Sequence, residues 1–155
     1  MILPAWSAPA GPKPPPPTPT SAADTAGETG ASTGPTVLIV EDNWLVSLEL
    51  EAALLDAGYR VCAIAVSADE AIDACETLKP DLILMDIRLL GDRDGVDAAI
   101  EARQRFDVPS IFLSAHDDPH IRARAADARP LAWLSKPMTP EHLIACLEGL
   151  LSPRQ

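Results

Sequence analysis

The stretch TVLIVEDN, residues 36–43, decides how the rest of the chain reads. Val37, Leu38, Ile39 and Val40 form an unbroken apolar run, the pattern of a strand covered on both faces. The run stops at two adjacent carboxylates, Glu41 and Asp42, so two like charges stand at the mouth of a core. Comparable runs recur at residues 60–66, at 81–86 (DLILMD), at 109–114 (PSIFLS) and at 131–135 (LAWLS). Helical patterns separate them. Residues 43–56 place Leu45, Leu48, Ala52 and Leu55 on one stripe, with Gly58 as the stop. Ser67 and Glu70 make a capping-box pattern opening a helix to about Leu78. Asp94 caps a helix from Gly95 to about Arg105, and Asp118-Pro119 starts another with proline at its first position. Thr139-Pro140-Glu141 opens a last helix to about Leu151, in which Leu143, Cys146, Leu147 and Leu150 face the core and Ile144 and Leu151 are left over. Five strand-helix units with right-handed crossovers predict an α/β fold, a doubly wound five-stranded parallel sheet.

The bulk composition narrows the function. The chain has 155 residues, 47% of them hydrophobic, and a net charge of −11 from 23 acidic and 12 basic residues. That balance argues against nucleic acid as a direct partner, because phosphate contacts need clustered Lys and Arg. Lysine occurs only at Lys13, Lys79 and Lys136. Cys62, Cys75 and Cys146 are far apart and form no C-x-x-C pair, which excludes zinc-site and thioredoxin patterns and leaves buried thiols. No apolar run is long enough to span a bilayer, and MILPAWSAPAG at the start lacks the regions of a signal peptide, so no membrane association and a cytoplasmic location are expected. Nine of the 16 prolines fall in residues 1–35, which read as a disordered Pro/Ala/Ser/Thr-rich tail: a tether, a docking motif or a functionless extension. Residues 36–152 then form the folded domain.

In a doubly wound sheet, ligands sit outside the carboxyl ends of the strands. Those ends carry Glu41 and Asp42, then Asp86, then Ser114, then Lys136. Three crowded carboxylates repel unless a cation intervenes. A hard divalent ion resolves this, and Mg²⁺ suits a few carboxylates with waters and substrate phosphate. Asp86 can then act as ligand or as nucleophile toward phosphorus, giving an aspartyl phosphate. Lys136 would add a second positive charge, and Ser114 a hydrogen bond to a phosphoryl oxygen. Blander roles exist: Asp42 as a helix cap, Ser114 as an ordinary strand-end hydroxyl, Lys136 as a solvated surface lysine.

The segments LIVEDN (residues 38–43), DLILMDIRL (81–89), DG (94–95), SIFLSA (110–115) and LSKP (134–137), in this order and spacing, resemble the receiver domain of bacterial two-component response regulators, the CheY-like superfamily. The resemblance covers roughly residues 36–152 and implies a (βα)5 flavodoxin-like fold. It implies that Asp86 is the phosphoacceptor, and that Glu41, Asp42, Asp86 and the Arg88 backbone carbonyl bind Mg²⁺. It further implies that Ser114 is the switch hydroxyl, Lys136 the phosphate-pairing lysine and Lys136-Pro137 a cis peptide. Trp133 falls where the family often carries a switching aromatic, and static core is the equal alternative. His116, two past Ser114, either influences water attack or is a bystander. The implied function is a phosphoacceptor response regulator, not an enzyme, taking phosphate from a histidine kinase or phosphotransfer protein and switching protein–protein contacts. A homodimer through the fourth helix, fifth strand and fifth helix would fit that switching. The alternative is a receiver-fold binding module whose output ignores phosphorylation.

Departures from the pattern are few. Leu90 stands where many receivers have proline, and the Asp-Gly pair at 94–95 comes one residue late. DRDGVDAA fails as an EF-hand, since Gly95 at loop position six puts Leu90 at position one. A haloacid-dehalogenase-type phosphatase would need an aspartate where Arg88 stands. No recognition helix follows the last strand, so a stand-alone receiver without an output domain is expected.

Overall fold

In the computed structural model, residues 34–151 are described; the tail expected at 1–35 lies outside them except for Gly34 and Pro35. Five strands form one sheet: β1 (Thr36–Val40), β2 (Arg60–Ala65), β3 (Leu82–Asp86), β4 (Ser110–Ser114) and β5 (Ala132–Ser135). Their order is β2-β1-β3-β4-β5, and every neighbouring pair is parallel. The helices between them are α1 (Trp44–Asp56), α2 (Ala68–Leu78), α3 (Gly95–Phe106), α4 (Pro119–Ala125) and α5 (Pro140–Leu151). The expected doubly wound (βα)5 architecture is therefore present.

Strand alternation builds two cores. Leu38, Val40, Ile83, Met85 and Phe112 point to the side covered by α2, α3 and α4, where they meet Ala71, Ile72, Ala98, Ala99 and Ala125. Val37, Ile39, Leu82, Leu84, Ile111 and Leu113 point to the side covered by α1 and α5 through Leu50, Leu54, Leu143 and Leu147. The order of strands reverses between β1 and β3, so a crevice opens beside their carboxyl ends.

Two helix phases differ from expectation. On α1 the buried residues are Ser47, Leu50 and Leu54, whereas Leu45 is 67% and Leu55 54% exposed, and Leu48 and Ala52 also face solvent. The helix carries leucines on both stripes, so spacing alone supported either phase; Leu54 wins because it packs with Tyr59 and β1 in one cluster. On α5, Leu143 and Leu147 are buried and Cys146 packs against the core as expected, but Leu150 is 39% exposed while Ile144 and Leu151 also pack against the core. The core stripe there runs along the 143–144–147–151 side of the helix.

Local signals explain the ends of the elements. Asn43 caps α1, its side chain accepting from the amides of Leu45 and Val46. Ser67 caps α2, and the Glu70 carboxylate reaches one residue beyond the usual box to the Val66 amide. Asp94 and Asp97 form a full capping box on α3.

Candidate functional site

The end of β1 and the end of β3 bring three carboxylates together. One oxygen from each of Glu41, Asp42 and Asp86 lies within 4.8 Å of the others. Glu41 is 1% exposed and Asp86 6%, while Asp42 stands at the rim. Because Asn43 takes the capping role on α1, Asp42 is left to the crevice instead of the helix.

The Lys136 ammonium enters from the β5–α5 connection, 2.8 Å from Glu41 Oε2 and 3.2 Å from Asp86 Oδ1. The Asn43 amide donates to Glu41 Oε1 at 3.1 Å, so both oxygens of the buried Glu41 carboxylate are satisfied. Burial works to lower the Lys136 pKa, but the Glu41 hydrogen bond and the charges of Asp86 and Glu41 outweigh it and raise it above the usual lysine range. The peptide between Lys136 and Pro137 is cis, as the resemblance implied.

These groups line a cleft of about 580 Å³ with Ser114, Ala115, His116, Asp118, Ile121 and Arg88. The Ser114 hydroxyl is engaged in a local turn: it donates to the His116 carbonyl oxygen and accepts from the His116 amide. His116 itself is exposed. Arg88 is exposed, and its amide lies 3.4 Å from Asp86 Oδ1. Trp133 is half-buried, its ring stacked on Phe112 with centroids 4.7 Å apart.

The late Asp-Gly pair is accommodated without disturbing Asp86. Gly91 adopts φ +98 in the loop, a conformation that suits glycine. Gly95 then lies against the end of β3: its amide donates to the Ile87 carbonyl oxygen at 2.7 Å, and a Cβ there would sit 1.9 Å from the Asp86 carbonyl oxygen. Only glycine fits.

The family described as response regulator receiver domain matches residues 37–148. The chain belongs to that family. The receiver is 35% identical over 130 residues to the transcriptional regulatory protein PdtaR of Mycobacterium tuberculosis, covering 77% of this chain and 63% of that one. It is 32% identical over 130 residues to the phyllosphere-induced regulator PhyR of Methylorubrum extorquens, covering 83% of this chain and 48% of PhyR. The chain thus spans less than two thirds of the length of these curated relatives. Among solved structures, the signal receiver domain of a modulated diguanylate cyclase from Desulfovibrio desulfuricans G20 superposes with a TM-score of 0.71 at 33% identity, covering 76% of this chain and 94% of that one.

All five expected side chains, Glu41, Asp42, Asp86, Ser114 and Lys136, line the one cleft of this receiver. Sequence reasoning missed the groups that brace it. Arg124 on α4 bridges to Asp94 and Asp97 at the start of α3. Arg122 pairs with Asp117 at 2.6 Å and lies over the Trp133 ring, 4.6 Å from its centroid. Arg124 and Asp94 are 30 residues apart in the chain, and no local pattern joins them. The cysteines take no part: Cys75 is fully buried with its thiol pushed up to about 11 by burial, and Cys62 and Cys146 are half-buried, with burial raising both. Among the described residues, no helix is long and apolar enough to cross a membrane.

Proposed function

We propose that this receiver accepts a phosphoryl group on Asp86 from a histidine kinase or phosphotransfer protein, and that the modification switches its contacts with a downstream protein. The observation that carries the reading is the placement of Lys136 within 3.2 Å of Asp86 at the mouth of an acidic cleft. An Asp86 oxygen forms a bond to phosphorus as the bond from phosphorus to the donor's imidazole nitrogen breaks. The Lys136 ammonium pairs with the phosphoryl oxygens, and the Ser114 hydroxyl donates to one of them once its local turn opens.

The donor set fits Mg²⁺: oxygen ligands only, two acids just after β1 and one that ends β3, close enough to share one hard ion. Glu41, Asp42, Asp86 and the Arg88 backbone carbonyl would hold it. When bound, the ion neutralises charge shared by the carboxylates and the phosphoryl oxygens. The protein acts as a phosphoacceptor rather than a turnover enzyme.

The test uses acetyl phosphate as a small-molecule donor, with intact-mass spectrometry as the readout. Mass gain of one phosphoryl group should need Mg²⁺, should vanish in Asp86→Asn and should stop with EDTA. Full labelling of Asp86→Asn would reject the assignment. In cells, wild-type signalling by Asp86→Asn would favour a binding module whose output ignores phosphorylation.

A further inference from the structure

Of the groups that would hold Mg²⁺, Glu41, Asp42 and Asp86 stand at strand ends, whereas the Arg88 carbonyl belongs to the loop joining β3 to α3, residues 87–94. This loop is fastened where it starts: the Ile87 carbonyl oxygen accepts from the Gly95 amide at 2.7 Å, and Leu89 packs against the core. It is fastened where it ends, by the Asp94 capping box. Between these points Leu90, Gly91 and Asp92 are exposed, and Gly91 takes φ +98, so burial does not hold the stretch. Contacts to α2 and α3 hold it instead. Leu90 forms a parallel bridge with Ser67, the cap of α2. Arg93 then spans two helices: Nη1 donates at 3.2 Å to Asp69 Oδ1 in the first turn of α2, and Nη2 donates to Glu101 Oε1 on α3. Arginine suits this position, since its rigid fork carries separate donors for two carboxylates, whereas lysine has a single ammonium. Arg105, on α3 itself, takes the other oxygen of Glu101 at 2.6 Å.

We propose that Arg93 is a positioning residue for the metal: by tying the loop to α2 and α3, it holds the Arg88 carbonyl ready for Mg²⁺. The proposal rests on reading the cleft as a Mg²⁺ site; the fastening of the loop rests on the contacts alone. Arg93 is 37% exposed, Asp69 84% and Glu101 26%, so as surface pairs these bridges add little to overall stability. Fixing a segment before binding acts differently, because it removes the cost of ordering that segment from the binding step. Charge alone predicts the opposite sign. Arg93 is a cation on an acidic protein, so by electrostatics its removal draws a divalent cation in more strongly, whereas loss of positioning weakens the site.

The experiment titrates Mg²⁺ into the full chain by calorimetry and measures amide hydrogen exchange in the metal-free chain. Arg93→Ala should weaken Mg²⁺ binding about tenfold, the effect of losing an outer partner of a metal ligand. It should also speed exchange of the amides at 88–93. Arg93→Lys keeps the charge but cannot span both carboxylates, so it should weaken binding as well. Arg105→Ala removes a cation from the same Glu101 without freeing the loop and should change neither readout. Equal or tighter binding by Arg93→Ala, beside a wild type that binds, overturns the proposal and leaves the metal site standing. An equal loss in Arg105→Ala, or unchanged loop exchange in Arg93→Ala, does the same. Strand amides should keep their wild-type rates in every variant; faster exchange throughout the sheet would make Arg93 a support of the whole fold and also overturns the proposal. A wild-type chain that takes up no Mg²⁺ removes the metal reading of the cleft and the proposal with it.

Discussion

Lys136 holds together two carboxylates that would otherwise repel. The Glu41 carboxylate is buried, and its two oxygens accept from one ammonium and one backbone amide. Replacing Lys136 with Met keeps the length of the side chain and removes the charge. Glu41 is then left with an uncompensated buried oxygen, a loss of about 1–3 kcal/mol in urea unfolding at pH 7. The pH dependence follows from the raised Lys136 pKa. A lysine whose folded pKa exceeds its unfolded value stabilises fully below the unfolded value of about 10.4. That contribution fades as pH climbs through the folded value. The gap between wild type and Lys136→Met should be constant from pH 7 to about 10 and narrow above it. A gap that narrows on acidification from neutral pH, with no change above pH 10, would assign the effect to other groups. At this scale the sequence was informative, because Glu41, Asp42, Asp86, Ser114 and Lys136 each end a strand or follow one within two residues. The bracing arginines were not legible, because their partners are set by tertiary packing: Arg124 reaches across 30 residues, and Arg122 reaches back over the start of α4.

At the level of elements, α1 separates what pattern can and cannot determine. Its existence follows from Asn43 as cap and a run of good helix formers, but its apolar residues surround most of the cylinder. Leu45, Leu48 and Leu55 have the same spacing merit as Leu50 and Leu54, and only the position of Tyr59 and β1 selects between them. Two substitutions on this helix test that selection. Leu50→Ala should cost about 2–5 kcal/mol by opening a cavity, whereas Leu45→Gln should change stability by less than about 0.5 kcal/mol. Chemical denaturation of both variants decides; comparable losses would restore the phase expected from spacing. The loop before α3 gives a second case. The Asp-Gly pair at 94–95 was readable as a motif, but its one-residue delay hid what the glycine does. A Cβ at Gly95 would meet Asp86 backbone oxygen at 1.9 Å, Asp86 carbonyl carbon at 2.8 Å and Ile87 Cα at 2.9 Å, all main-chain atoms that cannot swing aside. Gly95→Ala should therefore cost about 1–3 kcal/mol by overpacking and slow acetyl phosphate labelling of Asp86. Wild-type labelling and stability would show that the loop yields freely.

Across the described residues, basic charge is segregated. Helices α1 and α5 carry no Lys or Arg, while Arg93, Arg103, Arg105, Arg122, Arg124 and Arg129 pair with acids on the side of α3 and α4. This network links elements that pattern reading treats separately. Arg93 joins Asp69 on α2 to Glu101 on α3, and Arg124 joins α4 to the capping box of α3, which itself rests on the end of β3 through Gly95. Burial pushes the Asp94 pKa up, but the Arg124 and Asp97 contacts pull it further down, to a net value below the usual carboxylate range. Hydrogen bonding by Arg105, opposed by burial and joined by Arg93, does the same for Glu101. A carboxylate with a depressed folded pKa stabilises above its unfolded value, about 3.9 for Asp and 4.3 for Glu, and that stabilisation is lost as pH falls through the folded value. Removing the cation removes the pH-dependent part. The urea midpoint of Arg124→Ala should therefore lie below wild type at pH 6 and converge on it toward pH 2–3. Solvent screening at these partly exposed pairs holds the difference under about 1 kcal/mol. Added salt should shrink the pH 6 difference, because ions at ~1 M screen charges beyond about 3 Å. A midpoint difference equally large at pH 2 and pH 6, and indifferent to salt, would mean that Arg124 stabilises α4 through its packed stem rather than through the charge it presents to Asp94.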